Sequence, residues 1–98
     1  MEDRDIEALL DGLVEELSTI EHERWSHWQR YLHNKGLRQP DGSLVLPVDL
    51  VEHWDKQMNT RYENLSDDEK ESDREQVRKY LPLIAAALTA RFNRKLSS

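Results

Sequence analysis

The chain has 98 residues, 35% of them charged, a formal net charge of −6 and no cysteine; its mean hydropathy is −0.90. That length holds one domain with a modest core. The absence of cysteine removes disulfides and thiolate metal sites. No apolar run approaches the roughly 20 residues that span a bilayer, and no signal-type hydrophobic stretch precedes the acidic start, so the expectation is a soluble cytoplasmic protein without a membrane partner.

The charge is unevenly distributed. Residues 1–23 hold nine carboxylates and one base, Arg4, whereas residues 24–38 hold Arg24, Arg30, Lys35 and Arg38 with no carboxylate, and residues 76–98 hold five bases with no carboxylate. The termini are electrostatic complements. They are expected to lie side by side, within the chain or across a homo-oligomer; read more sharply, the basic segments form an anion-binding surface. Duplex nucleic acid is a poor partner, because the acidic arm would repel it and no DNA-binding motif is present.

In chain order, Ile6, Leu10, Leu13, Leu17 and Ile20 recur at spacings of four and three. This predicts a long amphipathic N-terminal helix, capped at Asp3 and weakened at Gly12, whose residues 1–17 form a candidate oligomerisation arm. Beyond Ile20 the stripe continues through Arg24, His27 and Tyr31, while Trp25, Trp28 and Leu32 form a second ridge. Two indoles among charges demand a partner helix that is both apolar and charged. The helix should end near Asn34 to Gly36, with a left-handed glycine cap.

A turn at Pro40-Asp41-Gly42 follows. Leu44 to Leu46 forms one extended piece which, lacking a partner, reads as a packed loop. Pro47 opens a helix to about Asn59 with Val48, Val51, Trp54 and Met58 at helical spacing and Trp54 as a core anchor. After a loop carrying Arg61 and Tyr62, Ser66-Asp67-Asp68-Glu69 is a capping box. The helix it starts aligns Asp73, Val77, Leu81, Ile84, Leu88 and Phe92 as its apolar stripe. Pro82 should kink or divide it, and the basic tail 91–98 should fray. The fold class is therefore all-α, a small bundle of three to four helices.

Catalytic signatures are weak. His22 and His27 are five residues apart, about 140° around a helix, so they do not form a zinc-protease pair, and no other ligand set, Gly-rich phosphate loop or nucleophile elbow is present. No cofactor or metal is expected.

One resemblance organises what remains. Glu21-His22-Glu23-Arg24-Trp25 with Trp28, then Tyr62-x-x-Leu65-Ser66-x-x-Glu69-Lys70-Glu71-x-Asp73-Arg74-x-x-Val77-x-x-x-Leu81-Pro82, resembles the ryanodine-receptor repeat (RyR) domain, which also occurs in bacterial and phage proteins. The likeness covers residues 18–88. Between the blocks, Gly36-Leu37 and Leu46-Pro47-Val48-Asp49-Leu50 stand where the family has Gly-Trp-x-Tyr-Gly-like and His-Pro-x-Leu-x-Pro segments. The resemblance implies a noncatalytic helical module, either a sensor of nucleotide-derived ligands or a packing unit.

Two local readings stay open. In the structural one, Glu21, Arg24, Asp73 and Arg74 form an ion-pair network and Trp25 and Trp28 are core. In the functional one, Arg24, Arg74, Arg78 and Lys70 meet phosphate while Trp28, Tyr31 or Tyr62 stacks on a base. With no effector part attached, the expected action is sequestration of a nucleotide signal, a cyclic nucleotide or dinucleotide or an ADP-ribose derivative, by a homo-oligomer. The alternative is a homo-oligomeric interaction module with no small ligand.

Overall fold

A computed structural model describes residues 3–97, and side chains for residues 4–94. In chain order the elements are α1 (Asp3–Asp11), α2 (Val14–Lys35), β1 (Leu37–Arg38), β2 (Leu44–Val45), α3 (Val48–Met58), a 3-10 turn (Tyr62–Asn64) and α4 (Asp67–Ser97). The chain is all-α but for one two-stranded ribbon. None of the helices is long and apolar enough to cross a membrane. The elements form two compact units, Met1–Glu23 with Asp73–Ser98, and Arg24–Ser72.

In the first unit the N-terminal stripe is divided by a corner. Leu13 N–H bonds to Leu10 O at 3.0 Å, an i to i−3 closure that ends α1 where glycine at position 12 weakens the helix. Leu13 sits in that corner and is 8% exposed, the one buried residue among those described. Ile6, Leu9, Leu17 and Ile20 are half-buried. The arm is held to α4 within the chain: the Arg91 guanidinium lies 3.9 Å from the Asp5 carboxylate, and the Tyr80 hydroxyl donates a hydrogen bond to Glu21. The cap expected at Asp3 lies outside the described side chains.

The face of α4 turned inward is not the one the sequence pattern selects. Gln76, Tyr80, Leu83, Ile84, Ala87 and Arg91 are half-buried, at spacings of four and three, whereas Val77, Leu81, Leu88 and Phe92 are exposed. The two sets share Ile84, and the inner one carries polar groups at its ends, of which Tyr80 and Arg91 meet Glu21 and Asp5. The helix also runs unbroken through Pro82 and carries the basic tail as far as Ser97. The long apolar and alanine-rich sequence after Pro82 supplies helix propensity against one lost hydrogen bond.

The second unit holds the ribbon that sequence reading treats as a loop. Leu37 pairs with Val45 and Arg38 with Leu44, antiparallel; the missing partner is the dipeptide directly after α2. Its connection is a tight turn closed by Gly42 N–H to Gln39 O (2.9 Å) and Gln39 N–H to Ser43 O (2.8 Å). Gly42 has φ +90°, which a side chain rarely tolerates. The left-handed glycine is thus here and not at Gly36. Gly36 answers to space: a Cβ there would lie 3.3 Å from Leu44 Cβ and Cδ2. In α3, Leu50, Val51 and Trp54 turn inward while Val48 and Met58 are exposed.

The capping box forms as read. Ser66 Oγ accepts from Glu69 N–H at 3.2 Å, and Glu69 Oε1 accepts from the Ser66 N–H (3.2 Å) and hydroxyl (2.8 Å). The Ser66 hydroxyl and amide hold the Glu69 carboxyl below its ordinary range, and those of Ser43 do the same for Asp41. The native state binds these protons less readily than the unfolded chain. Their contribution to stability is therefore complete above the ordinary carboxylate range and lost as pH falls through the lowered native values. Ser66→Ala is expected to cost about 1 kcal/mol in thermal denaturation at neutral pH. The same variant keeps the backbone N–H and loses the hydroxyl, so it should move the Glu69 titration, followed by carboxyl NMR, upward toward the ordinary range without fully reaching it.

Candidate functional site

Arg24, Trp28, Tyr31 and Lys35 occur at spacings of four, three and four on α2, and so share one face at 100° per residue. The Trp28 and Tyr31 rings meet edge to face, centroids 5.6 Å apart at 81°, and Lys35 Nζ lies 5.4 Å from the Tyr31 centroid. His27 packs edge-on to Trp28 at 5.9 Å. The result is an aromatic pair with the Lys35 ammonium over its Tyr31 member. Lys35 is the member that sequence reading missed, although its i+4 relation to Tyr31 is legible. A second pair stands in the same unit, with Lys70 Nζ 5.8 Å from the Tyr62 centroid.

The core assignment of the tryptophans does not hold. Trp25 is 57% exposed and Trp28 is 40% exposed; here Gln29, Leu32 and Gly36 take the half-buried positions. The two indoles are neighbours at i, i+3, but of the two only Trp25 borders the open cleft on α2. It belongs with Ser26, Gln29, Arg30, His33 and Asn34, which line that cleft of about 430 Å³. A smaller cleft, of about 350 Å³, lies between the end of α3 and the start of α4. His53, Lys56, Ser66 and Glu69 are among its lining residues.

Of the other candidates, Arg74 and Arg78 lie on α4 in the first unit, as does Asp73 of the expected ion-pair network, while Glu21 belongs to the same unit on α2. Glu21, Arg24, Arg74 and Arg78 are each engaged in interactions of their own. The Tyr80 hydroxyl on Glu21 is a partner that sequence reading missed; Tyr80 lies 59 positions away and carries no charge to suggest it. Among the described residues, no group of three or more His, Asp or Glu side chains is placed to hold a metal ion.

Comparison of the chain with family models, curated proteins and solved structures finds no match. The geometry and chemistry of these surfaces therefore carry the functional argument.

Proposed function

We propose that the chain is a noncatalytic binding module for a nucleotide-derived anion, with the α2 face at Trp28, Tyr31 and Lys35 as its recognition surface. One observation carries this reading: a half-exposed aromatic pair with an ammonium held over the Tyr31 ring. An aromatic plane stacks on a base, and a neighbouring cation takes the phosphate charge. The Tyr62 and Lys70 pair repeats the same chemistry within the unit. The likeness to the RyR repeat domain supports the same function, and retention of the ligand without turnover would make the protein a sequestering agent.

A calorimetric titration against mononucleotides, cyclic dinucleotides and ADP-ribose tests it. One class is expected to bind saturably, and Trp28→Ala or Lys35→Ala should weaken that binding at least tenfold. Val48→Ala, an exposed position on α3, should leave it intact. No binding by the folded protein overturns the proposal, and so does equal damage from Val48→Ala.

A second reading, an assembly module without a small ligand, draws on a different observation. Leu13 is the one buried residue among those described, while many large apolar side chains on both units stay exposed. Such surface calls for a macromolecular partner.

A further inference from the structure

The chain contains two Asp-Gly pairs, Asp11-Gly12 and Asp41-Gly42. In such a pair the glycine nitrogen, unhindered by a following side chain, can attack the aspartate Cγ. The nitrogen loses its proton, a carboxyl oxygen leaves as water, and a succinimide ring closes. Water then adds back at either ring carbonyl and gives aspartate or isoaspartate. The mass ends unchanged, but the main chain through an isoaspartate is one carbon longer. As dipeptides the two pairs are identical, and their surroundings differ.

Asp11 is the last residue of α1, and Gly12 N–H donates to Ala8 O at 3.2 Å in the final turn of that helix. Ring closure forces the aspartate ψ far from its helical value, so it would break this bond and open the corner in which Leu13 is buried. Gly12 is also crowded, since a Cβ there would lie 3.3 Å from Leu9 O. Asp41 lies instead in the exposed turn of the ribbon, outside the paired residues of its strands. Nothing stands within 4 Å of a Cβ built on Gly42, which leaves that turn room to change shape.

The opposition at Asp41 is local. Its Oδ1 accepts from the Ser43 hydroxyl at 2.6 Å and from the Ser43 N–H at 2.9 Å. Ring closure expels a carboxyl oxygen and therefore runs through the protonated acid, whereas the Ser43 hydroxyl, and after it the N–H, hold this carboxyl below its ordinary range. Gly42 N–H is held by Gln39 O at 2.9 Å, and Gly42 O accepts from the Arg38 guanidinium at 3.0 Å.

We infer that Asp41 is the site of aspartate isomerisation in the folded chain and that Ser43 is the residue that slows it. The added carbon falls inside the turn that sets the pairing of Leu37 with Val45, so isoaspartate at this position opens the ribbon. The inference is independent of the ligand face on α2 and of the assembly reading.

The full chain, aged at neutral pH, digested and sequenced by electron-transfer fragmentation, which distinguishes isoaspartate from aspartate, gives a rate at each pair. Isoaspartate is expected at position 41 and not at position 11. Ser43→Ala should raise the rate at 41 severalfold and leave 11 unchanged, with helical circular dichroism retained. In concentrated urea the two pairs should react at similar rates, and the effect of Ser43→Ala should vanish. Accumulation at 11 as fast as at 41 in the folded chain, or none at 41 in either form, would overturn the site. An unchanged rate at 41 in Ser43→Ala would overturn the role of Ser43. A preference for 41 that persists in urea would belong to the local sequence and would overturn the structural account.

Discussion

Leu13→Ala is expected to destabilise the chain by about 3 kcal/mol and to lower Tm by more than about 10 °C. The size of the effect follows from how little else is buried. Leu13 fills the corner between α1 and α2, where the helix closes early through Leu10 O, and it is 8% exposed. Truncation removes apolar surface from the inside of that corner and leaves a cavity that the surrounding turn closes only in part. Leu10→Ala is the matched control. Leu10 lies on the same sequence stripe but is exposed, so its loss should cost less than about 1 kcal/mol. Thermal unfolding of both variants at one protein concentration gives the comparison, since an assembling chain has a concentration-dependent Tm. Equal effects would show that the corner is not where the first unit is held together.

Pro82→Ala should act in the opposite direction, raising stability by about 2 kcal/mol. Pro82 lies within the continuous helix α4, where it offers no N–H to the carbonyl of Arg78 and its ring crowds that carbonyl. Alanine restores the donor and removes the crowding. The gain is reduced by about 0.4–1 kcal/mol because proline also restricts the unfolded chain. A rise in Tm of roughly 10 °C is the expected reading. A fall would mean that α4 depends on the proline for its packing against α1 and α2 in the first unit, through the Tyr80 and Arg91 contacts that flank it.

The locally encoded features were legible without coordinates. Ser66 and Glu69 satisfy each other across three residues, and they form the same reciprocal bonds in any chain that starts a helix there. Pro47 ahead of α3, the Pro40-Asp41-Gly42 turn and the end of α2 before Gly36 are of the same kind. In each, the decisive partner lies within a few positions. Even Lys35 over Tyr31 is an i, i+4 relation that needed only to be sought. The pairing of Leu37-Arg38 with Leu44-Val45 was missed because each strand has only two residues, too few for alternation to register.

What the sequence by itself determined is that this chain is mostly helical, where α3 and α4 start, and that its two ends carry opposite charge; the separate start of α2 at Val14 was not among them. These follow from propensity, capping and net charge, which act over one or two turns or through long-range fields. Only the tertiary structure decided which ridge of each helix is covered. On α4 the two apolar ridges are equivalent by periodicity, and the inner one is distinguished by the positions of Glu21 and Asp5, residues remote in sequence. On α2 the same choice left Trp25 and Trp28 exposed, although an isolated count of indoles calls for burial. Periodicity shows that a helix has an apolar face; what that face meets depends on contacts between distant parts of the chain, and no local pattern contains them.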